Sequence, residues 1–138
     1  MTTLPLSAQF TGKKGIRMLS SQRLLIIEGE FLIALEIQRI LEEANASQTV
    51  FTRNFREAGA MAERFGEFDL AIINPPLEGT PEIELVTRLA TAGPAIVICT
   101  AGPVWSDGAL LEGVEVVRKP FADGDLLAAC QRALAKRS

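Results

Sequence analysis

The 138-residue sequence predicts a single α/β domain built on a doubly wound, five-stranded parallel sheet. Short apolar runs alternate along the chain with stretches of helical spacing, the pattern of strand–helix repeats. The runs are apolar at nearly every position rather than at every second one, as expected of strands covered by helices on both faces. The length also fits, since one domain commonly spans about 100–150 residues. A hydrophobic fraction of 48% with 22% charged residues belongs to a globular chain rather than a disordered one.

Residues 1–21 carry Thr, Ser, Gly, Lys and one Pro without a sustained period, and read as a flexible N-terminal tail ahead of a domain over 22–138. Leu24-Leu25-Ile26-Ile27 is the first strand. Ile33, Ile37, Ile40, Leu41 and Ala44 then recur at helical spacing, which predicts an amphipathic helix from about Glu30 to Ala44. Thr49-Val50-Phe51 is a weaker strand, and Phe55, Ala58, Ala62 and Phe65 mark the face of a second helix. Leu70-Ala71-Ile72-Ile73 is a strand closed at Asn74, because the prolines that follow push the preceding residue towards extended geometry. Thr80 is a suitable N-cap with Pro81 at the first helical position, and Val86, Leu89 and Ala90 supply that helix's core stripe. Ala95 to Thr100 is the fourth strand, a short helix is expected between Trp105 and Leu111, and Val114 to Val117 is the fifth strand. Asp123 is expected to cap a last helix with Leu126, Leu127, Cys130 and Leu134 on one face, its C-terminal dipole met by Lys136 and Arg137.

The composition narrows the function. A net charge of −3 offers no positive field for nucleic acid or an anionic membrane, and the runs Gly12-Lys13-Lys14-Gly15 and Lys136-Arg137 read as solvated ends. No apolar run reaches the roughly 18 residues of a membrane span, and no secretory signal opens the chain, so a cytoplasmic location is expected. Histidine is absent, which removes the commonest general base and neutral metal ligand. Cys99 and Cys130 fall inside a strand and a helix pattern, as buried free thiols rather than a disulfide or zinc site. No metal or other cofactor is expected, and the chemistry points to a binding or signalling module rather than an enzyme.

Ligands of doubly wound sheets bind beyond the carboxyl ends of the strands. Those exits carry Glu28-Gly29-Glu30, Asn74, Thr100 and Lys119: a carboxylate, an amide, a hydroxyl and an amine in chain order. In Leu25-Ile26-Ile27-Glu28-Gly29-Glu30, Phe68 to Asn74, Ile96 to Ala101 and Val117-Arg118-Lys119-Pro120-Phe121, the sequence resembles the receiver domain of response regulators in bacterial two-component phosphorelay signalling. The resemblance runs from about Arg23 to Leu134. It implies the flavodoxin-like strand order 2-1-3-4-5. It also implies a pocket in which adjacent acids hold Mg²⁺, an aspartate accepts a phosphoryl group from a histidine kinase, and a hydroxyl and a lysine before a cis-proline hold its oxygens. By position, Glu28 matches the first acid, Thr100 the hydroxyl, Lys119 the lysine and Pro120 the proline.

Two positions depart from that pattern. Gly29 stands where the second metal-binding acid belongs, and Asn74 stands where the phosphoacceptor belongs. A carboxamide oxygen is neutral and poorly nucleophilic, and Mg²⁺ gives up water reluctantly without carboxylates. Val116 also replaces a switching aromatic, and the span from Thr100 to Lys119 looks short. Taken singly, Lys119 reads first as an ordinary partly exposed lysine and Thr100 as a hydroxyl bonded to nearby backbone; together, within this fold, they read as the receiver pair. Glu28 near Lys119 suggests a permanent ion pair, of little worth if it lies at the surface. Glu30 reads as a first-turn acid, and Asp69, at the start of its strand, as too distant to accept phosphate. Trp105 reads as an interface anchor or as packing beneath a loop.

Together these features predict a degenerate receiver, or pseudo-receiver, that works through protein contacts independently of phosphorylation. Its expected partner is a protein such as a histidine kinase or a transcription regulator, with a homodimer possible and no nucleic acid or membrane. The resemblance places such contacts on the family's fourth helix, fifth strand and fifth helix. With no output domain after the last helix, a stand-alone adaptor is expected. The alternative is a small-ligand or anion-binding module of flavodoxin-like shape, with Thr100 and Lys119 as the anion site.

Overall fold

A computed structural model describes residues 19–74, 80–100, 114–119 and 121–137, with backbone only at 80–82, 100 and 137. The elements are β1 (Arg23–Ile27), α1 (Phe31–Glu43), β2 (Gln48–Thr52), α2 (Phe55–Gly59), a 3₁₀ helix (Ala62–Glu67), β3 (Leu70–Ile73), α3 (Thr80–Ala92), β4 (Ala95–Thr100), β5 (Glu115–Arg118) and α4 (Asp123–Arg137). All four strand pairings are parallel, in the order β2-β1-β3-β4-β5. This is the doubly wound sheet expected from the sequence, in the strand order that the receiver resemblance implies.

The unbroken apolar runs serve two cores at once, because successive side chains leave a strand on opposite faces. Leu24, Ile26, Leu70, Ile72, Val97 and Cys99 pack with Ile37, Ile40 and Leu41 of α1 and Leu126, Ala129 and Cys130 of α4. Leu25, Ile27, Ala71, Ile73, Ile96 and Ile98 pack instead with Ala58, Phe65, Leu85, Val86 and Leu89. Fully burying one such aliphatic side chain contributes about 1.5–3 kcal/mol. Both thiols are buried and unbridged.

Local differences from the sequence reading have identifiable causes. The second helix is split: α2 stops at Gly59, a poor helix residue, and the chain resumes as a 3₁₀ helix that still buries Phe65. Asn54 caps α2, its side chain accepting the Glu57 N–H at 2.9 Å. α1 closes through Asn45 at φ +73°, with the Ala46 N–H on the Leu41 carbonyl and the Asn45 N–H on the Glu42 carbonyl. β5 lies one residue later than expected, within the usual spread of strand ends.

Asp123 does not cap α4. The Ala122 N–H donates to Asp125 Oδ2 at 3.1 Å, while Asp123 pairs with Arg39 of α1 and ties the two helices of that face together. Lys136 is engaged by Glu115 on β5 rather than by the helix end alone. Leu19, inside the stretch read as a tail, is fully buried, and Ser20 bridges antiparallel to Ala46. Residues 1–18, Pro75-Pro76, Trp105 with its expected helix, and Pro120 lie outside the described residues, as does the Thr80 side chain.

Candidate functional site

Register decides which side chains meet. Ile27 lies beside Thr52 and Ile73, and Ile73 beside Ile98. The ladder continues one step beyond the strands: the Glu28 N–H donates to the Thr52 carbonyl at 3.0 Å, and the Asn74 N–H to the Ile27 carbonyl at 2.8 Å. Glu28 and Asn74 therefore emerge side by side. β5 pairs with the far end of β4, Thr100 beside Arg118, which delivers Lys119 to the same edge.

Glu28 is the centre of the site. Its side chain is 1% exposed, against 14% for Lys119. One carboxylate oxygen, Oε1, accepts from Nδ2 of Asn74 and from Nζ of Lys119 at 3.4 Å. The other, Oε2, accepts the backbone N–H of Glu30 at 2.9 Å. A carboxylate taken out of water needs such donors, because its desolvation is otherwise uncompensated. The ion pair anticipated from sequence is thus buried rather than superficial, and removing one member of a buried pair typically costs about 3–5 kcal/mol.

Glu30 contributes through its backbone. Its side chain makes no capping bond to α1 and is exposed. Asp69 sits at the opposite edge, where its carboxylate accepts the Arg23 N–H at 2.8 Å. Cys99 neighbours the pair, and its thiol is pushed up to about 12, chiefly by burial, with Lys119 lowering and Glu28 raising it. A thiol held protonated is a poor nucleophile.

The residues present do not fit a Mg²⁺ site. Both oxygens of Glu28 are already engaged by protein donors. Gly29 supplies no ligand, and a Cβ there would lie 3.2 Å from the Arg53 carbonyl oxygen. Among the described residues, no three His, Cys, Asp or Glu side chains converge.

Of the residues singled out from sequence, Glu28, Asn74 and Lys119 come together, with Gly29 beside them. Thr100 reaches this edge by its backbone register; its side chain and Pro120 lie outside what is described. Sequence reasoning missed a neighbouring groove of about 310 Å³, lined by Glu28, Gly29, Phe31, Ala34, Leu35, Gln38, Phe51, Thr52 and Arg53. The available signal was Phe31-Leu32, two large apolar residues off the buried stripe of α1. No helix among the described residues is long and apolar enough to cross a membrane.

No family model and no curated protein matches the sequence. The fold, however, is similar to that of solved receiver domains. A response regulator receiver protein from Sinorhizobium medicae WSM419 superimposes with a TM-score of 0.73 at 14% identity, over 87% of this chain and 99% of that one. The chemotaxis protein CheY4 of Vibrio cholerae gives 0.67 at 19% identity, over 83% and 99%. SdrG from Pseudomonas melonis Fr1, in its BeF3-activated conformation, gives 0.67 at 25% identity, over 83% and 98%. The chain has the receiver-domain fold.

Proposed function

We propose that this receiver-like domain is a pseudo-receiver, a protein-interaction module of two-component signalling that neither accepts a phosphoryl group nor catalyses a reaction. The observation that carries the reading is the Asn74 amide donating to the buried Glu28 carboxylate. The residue at the acceptor position offers a neutral amide, and the remaining acid is paired with Lys119. Phosphoryl transfer needs an anionic oxygen and a cation to shield the incoming charge. Here the acceptor position holds a neutral amide and the Lys119 ammonium is already held by Glu28, so its partner, such as a histidine kinase or a transcription regulator, meets a surface whose state is not set by that chemistry.

Two features weaken the ligand-binding alternative. An anion drawn to Lys119 must compete with Glu28, which already holds that ammonium. The groove near Gly29 approaches the size of a small-ligand site, yet Phe31 and Leu35 on its wall remain 75% and 45% exposed, so it encloses little.

Acetyl phosphate with Mg²⁺ provides the test. The native chain should take up no acid-labile phosphate, and Asn74→Asp alone should bind Mg²⁺ poorly. Asn74→Asp combined with Gly29→Asp should gain both properties, provided the Arg53 carbonyl yields a few tenths of an ångström. Stable labelling of the native protein at Asn74 would sink the proposal.

A further inference from the structure

We infer that the groove beside α1 is a docking site for the chain's own first eighteen residues, with the apolar stretch Leu4 to Phe10 as its occupant. The surface calls for a cover. Phe31 at 75%, Leu32 at 77% and Leu35 at 45% exposure are the large exposed hydrophobic residues among those described, and all three crowd one end of one helix. Two of them wall the groove, with Ala34 and Phe51 adding apolar surface. Isolated exposed apolar residues need no explanation, but a contiguous patch beside a concavity marks a contact.

The chain's own geometry names the occupant. Leu19 is anchored at the other end of the same helix, its N–H donating to the Ala44 carbonyl at 3.2 Å and its side chain fully buried. The segment ahead of Leu19 is therefore tethered at the C-terminal end of α1. The 13 residues of α1 span about 20 Å, a distance that about six extended residues cover. Residues 13–18 are enough to return to the groove, and Leu4, Pro5, Leu6 and Phe10 remain to fill it. Charge favours that path. Residues 1–18 carry Lys13, Lys14 and Arg17 and no acid, while α1 exposes Glu36, Glu42 and Glu43 against Arg39 alone.

The inference stands independently of the pseudo-receiver reading, and it is tested on the full chain. Ser7→Cys introduces a label site, because Cys99 and Cys130 are buried and their thiols are pushed up by burial. With a nitroxide there, the amide signals of Phe31, Leu35, Phe51 and Arg53 should lose most of their intensity and recover when the nitroxide is reduced. Amides of Gln131 to Leu134, on α4, should be spared. Leu4→Ser with Phe10→Ser should abolish the loss, as should Phe31→Ser with Leu35→Ser, which alters only exposed side chains. An absence of localised quenching overturns the inference. So does equal quenching in a mixture of labelled and isotope-enriched unlabelled protein, which would make a second copy the occupant.

Discussion

Replacing Asn74 by Asp probes the site most sharply, because the exchange is nearly isosteric and changes one donor into one charge. In the native chain the Asn74 amide donates to Glu28 Oε1, a buried acceptor also held by Lys119. An ionised aspartate there removes that donor, about 1–3 kcal/mol. It also sets two carboxylates in contact, worth about 4 kcal/mol of repulsion at 4 Å and an effective dielectric of 20. The introduced group can escape by keeping its proton, since a carboxylic O–H would replace the lost amide donor. Holding that proton at pH 7 against an ordinary value near 3.9 costs about 4 kcal/mol, which caps the penalty. The folded variant thus binds a proton that its unfolded chain releases, so its stability falls as pH rises above about 4. Urea denaturation of Asn74→Asp and native protein should differ by about 2–4 kcal/mol at pH 7 and by less than about 1 kcal/mol near pH 4, read as midpoints at a shared slope. Millimolar Mg²⁺ should restore little, because Gly29 offers no second ligand and weak binding adds little stability. A penalty independent of pH, or full rescue by Mg²⁺, would refute the reasoning.

Three further outcomes are expected. Lys119→Met should destabilise the fold by about 3–5 kcal/mol by leaving Glu28 buried and unpaired. Adding Glu28→Gln should recover part of that loss, which a double-mutant cycle in urea would measure. Glu115 is held below its usual carboxylate range first by Lys136 and then by Arg132. Its contribution is complete above its ordinary value of 4.5 and lost as pH falls through the lower folded value, so acid unfolding should be less steep in Glu115→Gln than in the native chain. Cys99, whose thiol is raised to about 12, and Cys130, raised further, should both be silent to a disulfide reagent in the native state at mildly alkaline pH. Both should titrate after unfolding, and a rapid native reaction at either would contradict the burial.

The fold was legible because unbroken apolar runs alternate with stretches of helical spacing. Leu24 to Ile27 and Leu70 to Ile73 have no polar position to turn outward, so each strand needs two covered faces, and the structure supplies them. The meeting of Glu28, Asn74 and Lys119 was legible for a related reason: parallel strands share one carboxyl edge, and exits in register bring side chains from positions 46 and 91 residues apart into contact. What sequence could not supply was competition between partners. Asp123 looks like a cap, but Arg39 reaches it from another helix, and Asp125 bonds the Ala122 N–H instead. Nor could it tell a surface pair from a buried one, since the Glu28 carboxylate is met by Asn74 and Lys119 from two other strand exits. The split after Gly59 was missed for another reason: Phe55, Ala58, Ala62 and Phe65 keep helical spacing across it, and Ala58 and Phe65 are buried on either side of the break.

The satisfied state of Glu28 also limits how this domain can be regulated. A ligand shifts a conformational equilibrium only by the difference in its affinity for the two states. An effector entering at the strand exits must displace Lys119 or Asn74 from Glu28, and so must first offset the cost of exposing a buried charge. Moving a population from 1:99 to 99:1 already requires about 5.5 kcal/mol of preference, and the broken contacts add to that demand. An effector binding an exposed face meets no such requirement. On this reasoning the Glu28 site is a fixed brace across β1, β3 and β5, and an effector of a domain built this way would act at an exposed face, where no buried charge has to move. Direct binding of an effector to the strand exits, with no loss of the Lys119–Glu28 contact, would break the argument.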